Sequence, residues 1–335
     1  MSKILVVGGA GYIGSHMVKM LHQKGIECVV LDNLSTGFSE SVINAELVTG
    51  DLADTQLLQS LFTQHEFTAV VHFAAFSQVG ESIQHPAKYY RNNIANTQNL
   101  LDVMCSANVK HLVFSSTAAV YGTPKADFIT EEHVVNPINP YGRTKLAIEW
   151  MLQDYAAAYG LQSVALRYFN AAGAESGGDN GERHDPETHL IPLVLQAASG
   201  RRPSINVFGT DYPTQDGTCV RDYIHIKDLC SAHLAALEWL KIQPQEGLFL
   251  PLNLGNGLGF SVQQVIDTAK KVTGCELKVD YVGRRTGDPS TLVANADKAK
   301  RILGWQPSII ELDEIVSHAW VWEQHMSATN KICER

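Results

Sequence analysis

The 335-residue sequence predicts an α/β fold with helices on both sides of a parallel sheet, and three observations carry the prediction. Short apolar runs of strand length recur at residues 4–7, 26–31, 47–49, 69–73, 111–115 and 163–168. They are continuous rather than alternating, as strands buried on both faces are. Helical patterns separate them, and a glycine-rich turn, GGAGYIG, follows the first run directly. Together these are the signature of a doubly wound, Rossmann-type sheet.

In order along the chain, residues 4–7 lead into Gly8, Gly9, Gly11 and Gly14, then into a helical pattern through Met17, Met20 and Leu21 that Gly25 ends. The second strand closes on Asp32. Strand, glycine turn, helix, strand and acid form a dinucleotide-binding unit, in which the turn admits a pyrophosphate to the helix N-terminus and the acid accepts from ribose hydroxyls. Asp32 would repel a 2′-phosphate, and the following NLSTGF offers no basic residue, so NAD is favoured over NADP. Asp51, after the third strand, reads equally as an adenine ligand or as the N-cap of a helix starting near Thr55. Ala74 and Ala75 follow the fourth strand and are small enough to let a cofactor lie close, and residues 85–107 read as one long helix. Ser115, Ser116 and Thr117 lie at the carboxyl end of the fifth strand, where ligands of open parallel sheets bind. Taken alone they would be turn residues.

Tyr141 and Lys145 change that reading. At i and i+4 on a helix they share a face. Bringing a phenol from about 10 to about 7 takes on the order of 4 kcal/mol, more than one exposed lysine supplies, so a second cation such as an oxidised nicotinamide is expected beside it.

Beyond residue 170 the pattern loosens into a glycine-rich polar stretch, which divides the chain into residues 1–170 and a smaller α/β region, 171–335, with some segments returning to the first. Helical patterns are expected at 189–200, 228–240, 261–273 and 312–322, and extended ones at 205–208 and 220–226. Arg221 and Arg285 sit among aromatic, glycine and acidic residues, and as a pair could clamp a diphosphate. The net charge of −9 argues against nucleic acid and anionic membrane surfaces as partners. Cys28, Cys105, Cys219, Cys230, Cys275 and Cys333 contain no CxxC and read as reduced thiols, and the scattered histidines suggest no metal site. With no signal-peptide pattern and no apolar run long enough to span a bilayer, a cytoplasmic location is expected.

The blocks GGAGYIG, DNLSTGF, FSSTAAVYG, NPYGRTKLAIE, LRYFNAAGA, FGTDYPTQDGTCVRDYIHIKDL and GRRTGD run from Gly8 to Asp288 and resemble, in order, those of the nucleotide-sugar epimerases of the extended short-chain dehydrogenase/reductase family. The resemblance implies interconversion of UDP-galactose and UDP-glucose through a transient 4-keto sugar, with NAD held throughout, in a homodimer joined by the helix before Cys105 and the one opening at Tyr141. It implies that Tyr12, Ile13, Asp32, Asn33, Asp51, Leu52, Asn92 and Phe169 hold NAD, with Phe73 to Ala75 beneath it. Tyr141 would be the base at the sugar C4 hydroxyl. Lys145 would hold the nicotinamide ribose and depress the phenol pKa, and Thr117 would bond the same C4 oxygen. Asn170, His189, Leu190, Phe208, Arg221, Tyr223, Arg285 and Asp288 would grip the uridine diphosphate. Three positions depart from relatives: Ser77 replaces a lysine, His189 an asparagine, and Leu292 is intermediate in size at the residue gating the sugar 2-position. Ala118 and Ala119 cannot supply the carboxyl pair a sugar dehydratase needs. Epimerases of N-acetylhexosamine, pentose or uronate nucleotides remain alternatives, as does, more remotely, a non-catalytic NAD sensor.

Overall fold

A computed structural model describes residues 3–124, 126, 128–244, 246–285 and 288–333, with the backbone alone for 329–333. Seven parallel strands form its central sheet: β1 (Lys3–Val7), β2 (Cys28–Asp32), β3 (Glu46–Thr49), β4 (Phe67–His72), β5 (His111–Ser115), β6 (Gln162–Tyr168) and β7 (Leu248–Leu254). Their order is β7-β6-β5-β4-β1-β2-β3, so the winding reverses between β1 and β4 and opens a crevice at the carboxyl ends of those strands. The sheet is buried on both faces. In β1, Ile4 and Val6 enter one core cluster while Leu5 and Val7 enter the other, and Val30 and Val29 divide likewise in β2.

The first six strands match the apolar runs to within two residues. β7 was not expected: it comes from residues 248–254, well past the loop at 171–189, and pairs with β6 from Leu248↔Gln162 to Leu254↔Tyr168. The helix Ile226–Lys241 also returns, packing Leu229, Cys230 and Leu234 against Met17, Val18 and Leu21 of the Tyr12–Gln23 helix.

The remaining part is built on short strands. Phe260–Ser261, Val220–Arg221, Thr291–Ala294 and Phe128–Ile129 form a four-stranded sheet, Ile205–Phe208 pairs with Val279–Val282, and Asn170–Ala172 with Tyr223–His225. Helices Leu190–Ala198, Val262–Thr273 and Leu312–Cys333 pack into one cluster around Val194, Ile266 and Ile315. The last of these helices extends well beyond the residue 322 expected of it.

The expected helix over 85–107 is continuous but uneven. It begins at Pro86, passes through a π-helical stretch, Tyr90–Ala95, and ends at Ser106. The wider turn aims Asn93 inward, where its side chain bonds Phe76 N, Phe76 O and Thr144 Oγ1, each at 3.0 Å, and it carries Asn92 beside it. Among the described residues no helix is long and apolar enough to cross a membrane.

Candidate active site

At the switch point the glycine turn is pressed against the strand beside it. Gly8 has φ +81°, and a Cβ there would lie 2.5 Å from Ala74 N. Gly11 differs, because a Cβ on it would meet no protein atom nearer than 3.5 Å. The chain's own packing therefore does not demand glycine at that position, and the space it leaves faces the helix N-terminus. That terminus carries no side-chain cap and no acid in its first turn, which suits an incoming pyrophosphate. Tyr12 and Ile13 open the helix, and Tyr12 Oη donates to Gly173 O at 2.7 Å. Gly14 packs within the turn, its Cα facing Gly8.

Asp32 holds this turn in shape. Its Oδ2 accepts from Ala10 N at 2.9 Å and its Oδ1 from Leu34 N at 2.8 Å, leaving one lone pair on each oxygen for a ribose hydroxyl. Asp51 is not a helix cap: Asp54 caps the Thr55–Gln64 helix through Leu57 N, and Asp51 accepts instead from Asn33 at 2.6 Å and Asn96 at 3.0 Å. Leu52 turns its side chain into the core below, Phe73 packs against the His233 ring, and Ser77 is exposed. The residues present thus fit a dinucleotide: an uncrowded glycine at an uncapped helix start, a shaped carboxylate, and small Ala74 and Ala75 behind.

On the other side of the crevice the Pro140–Tyr159 helix starts at Asn139, whose side chain caps Gly142 N at 2.8 Å. Its first turns bring Tyr141 and Lys145 under the end of β5. The Thr117 side chain lies beside Tyr141 and favours its phenolate. Lys145 is buried, its Nζ donating to Ser115 O at 2.7 Å and lying 4.8 Å from the centre of the Phe114 ring. Burial pushes the Tyr141 phenol up to about 12, with Thr117 pulling the other way, and pushes Lys145 down to about 7. Burial and Thr117 are the influences on the phenol, and its expected depression by Lys145 stays part of the proposed role of that residue. In low dielectric both groups favour their neutral forms, so an acidic phenol here needs the charge of a bound ligand.

Beneath this pair lies a network that spacing did not reveal. Glu149, a further four residues along the same helix, accepts from Ser116 Oγ at 2.6 Å and from Arg167 Nε at 2.9 Å, and Arg167 Nη1 reaches Tyr121 Oη at 2.9 Å. Tyr121 in turn bonds Asn253 of β7 at 2.7 Å. The signal available in the sequence was the four-residue repeat Tyr141, Lys145, Glu149.

Each of the proposed diphosphate arginines has a partner within the protein. Arg221 is ion-paired with Asp288, and Arg285 lies over the Phe208 ring at 3.8 Å. Leu292 neighbours Arg221 in register and packs with Phe169 against Val120, Tyr121, Ile129 and Leu146, the last on the Pro140–Tyr159 helix. Asn170 Nδ2 donates to Asp222 O at 2.9 Å, tying its strand to that of the buried Tyr223. Buried Asp222 accepts from the amides of Asn256, Gly257 and Ala294 and so braces the residue beside Arg221.

A model of the NAD dependent epimerase/dehydratase family matches residues 4–250. The chain belongs to this family. Among its relatives, the UDP-glucose 4-epimerase of Halalkalibacterium halodurans is 51% identical over 96% of this chain and 95% of its own length. The crystal structure of the Brucella ovis UDP-glucose 4-epimerase in complex with NAD superposes with a TM-score of 0.94 at 47% identity, covering 98% of this chain and 99% of that one. The Bifidobacterium longum enzyme in complex with NAD+ and UDP gives 0.90 at 37%, covering 97% and 98%. As an epimerase/dehydratase family member the chain is an NAD-dependent isomerase, with a cradle for that cofactor at the Gly8–Gly14 turn.

One neighbourhood departs from the expectation of scattered histidines. His189 lies not alone at the head of the helix that Leu190 opens, but beside His184, Glu182 and Glu187, and ligand atoms from all four fall within 4.8 Å of one another. The pattern E-x-H-x-x-E-x-H in residues 182–189 was the readable signal. Burial opposes charge on both rings, but the two carboxylates outweigh it and raise His189 to about 10 and His184 to about 9.

Proposed function

We infer that the protein is a UDP-glucose 4-epimerase that interconverts UDP-galactose and UDP-glucose with NAD resident in the crevice. The observation that carries this is the meeting of Tyr141, Thr117 and buried Lys145 at the carboxyl end of β5, facing the glycine turn. When bound, NAD supplies a hydride acceptor for the sugar C4 and the positive charge of its oxidised ring. The chain's residues handle the proton and the grip. Tyr141 removes the proton from the C4 hydroxyl and returns it after the 4-keto sugar has turned over. Thr117, beside that phenol, holds the C4 oxygen. Lys145, whose Nζ donates to Ser115 O, would hold the nicotinamide ribose, and Gly8, Gly11, Tyr12, Ile13, Gly14, Asp32, Asn33, Asp51, Leu52, Asn92 and Phe169 would line the rest of the cofactor.

The nucleotide must be held firmly while the hexose turns. Arg221 and Arg285 suit the firm half through charge-assisted bonds to the diphosphate. Asn170, His189, Leu190, Phe208, Tyr223 and Asp288 complete that grip, and Leu292 sets the room at the sugar 2-position. A homodimer through the Pro140–Tyr159 helix belongs to the same reading, supported by Trp150, which is 56% exposed on it. A cytoplasmic location is supported by the unpaired state of Cys28, Cys105, Cys219, Cys230 and Cys275.

The test is incubation with UDP-galactose, without added cofactor, of enzyme as purified. UDP-glucose should form, and no product would overturn the reading. UDP-N-acetylgalactosamine and UDP-xylose in parallel define the substrate range, and a monomer mass in sedimentation would overturn the dimer.

A further inference from the structure

We propose that Glu182, His184, Glu187 and His189 form a site for one tetrahedral divalent cation of the zinc class, which fastens their loop between the Tyr12–Gln23 and Leu190–Ala198 helices. In such a site, with bonds of about 2.0–2.2 Å, ligand atoms stand about 3.3–3.6 Å apart. Two contacts that share the His184 nitrogen have that spacing: His184 Nδ1 to Glu182 Oε1 and His184 Nδ1 to Glu187 Oε2, each 3.4 Å. A third, His189 Nδ1 to Glu182 Oε1 at 2.6 Å, is a hydrogen bond that must open, and the His189 side chain, 53% exposed, has room to turn.

A second observation is independent of the clustering. His184 Nδ1 is shut off from solvent yet in hydrogen-bonding geometry with neither carboxylate near it. Near two carboxylates yet hydrogen-bonded to neither, this buried nitrogen is poorly satisfied, and a metal bond would satisfy it. The ligands are also supported from outside, as metal ligands are. Glu187 Oε1 accepts from Thr188 N at 2.7 Å and His189 N at 2.9 Å, and the Tyr12 ring stands edge-on to His184. Arg183, between the ligands in sequence, turns away to Glu40 at 3.0 Å and lies over the Phe38 ring, so it brings no competing charge. Two imidazoles and two carboxylates, without thiolate, select a borderline cation. Magnesium and calcium want more oxygens than the loop offers. The two carboxylates balance the charge of the ion.

The experiment uses the full chain after dialysis against a chelator, with Zn2+ followed by equilibrium dialysis and Co2+ as the visible probe. One Zn2+ per chain is expected, together with the intense absorption bands of tetrahedral Co2+ that Zn2+ abolishes. The double variant His184→Gln/His189→Gln should lose both signals while keeping the far-ultraviolet circular dichroism of the parent. If that variant does not fold, Glu182→Gln, which preserves side-chain size, should weaken Zn2+ binding at least tenfold. His318→Gln, which removes a separate close histidine pair with His225, should bind as the parent does. Absence of stoichiometric binding, binding undiminished in the folded variants, or the weak bands of octahedral Co2+ would overturn the proposal. None of these readouts depends on turnover, so the test stands apart from the proposed activity.

Discussion

Glu149 and Arg167 form a two-pronged ion pair wholly inside the protein, with Arg167 Nε 2.9 Å from one carboxylate oxygen and Nη2 on the other. The pair lies directly under Ser116, which bonds the same carboxylate at 2.6 Å, and so under the segment that carries Thr117. Removing one partner strands the other charge in low dielectric. Glu149→Ala should therefore lower the unfolding free energy by about 3–5 kcal/mol, measured by urea denaturation. A loss below about 1 kcal/mol, the range of an exposed pair, would mean the network is solvated in solution.

Replacing Tyr141 by Phe removes the proton carrier and keeps the ring. Turnover of UDP-galactose should fall by about 10²–10⁴-fold, the usual worth of general acid–base catalysis, while the NAD content of the purified protein is unchanged. Turnover equal to the parent's would sink the assignment of Tyr141 as base.

Lys145 makes a signed prediction for the cofactor-free chain. Its folded value is depressed to about 7 from an ordinary 10.5. Between those pH values the unfolded chain binds the proton that the folded chain has released, so stability should rise with pH across that window. Lys145→Met, which cannot titrate, should remove this rise. Identical pH slopes for the two proteins in chemical denaturation would contradict the burial that drives the shift.

Asp32 shapes the turn through Ala10 N and Leu34 N, and the proposed function gives it a second job at the ribose. Asp32→Ala should release NAD during gel filtration and raise the concentration needed to restore activity by at least tenfold. Full retention would show that the adenosine half contributes little to holding the cofactor.

Much of this was readable from local pattern. β1 to β6, the glycine turn and the Tyr141/Lys145 pair are encoded in runs of a few residues, where a continuous apolar stretch, a positive-φ glycine or a four-residue spacing has one cheap structural outcome. The stretch LFLPLNL of β7 is equally apolar, but Pro251 within it argues against a central strand, and only its place at the sheet edge, paired on one side with β6, makes it acceptable.

What the sequence by itself determined is the winding of the sheet, the cofactor class and the spacing of the side chains proposed to react, because each is carried by neighbours along the chain. Tertiary structure alone decided the burial of Tyr141 and Lys145, the pairing of Glu149 with Arg167, and the gathering of His184 and His189 with two glutamates. Those depend on which groups lose water together, and desolvation is a property of the packed volume around a residue rather than of the residues beside it in the chain.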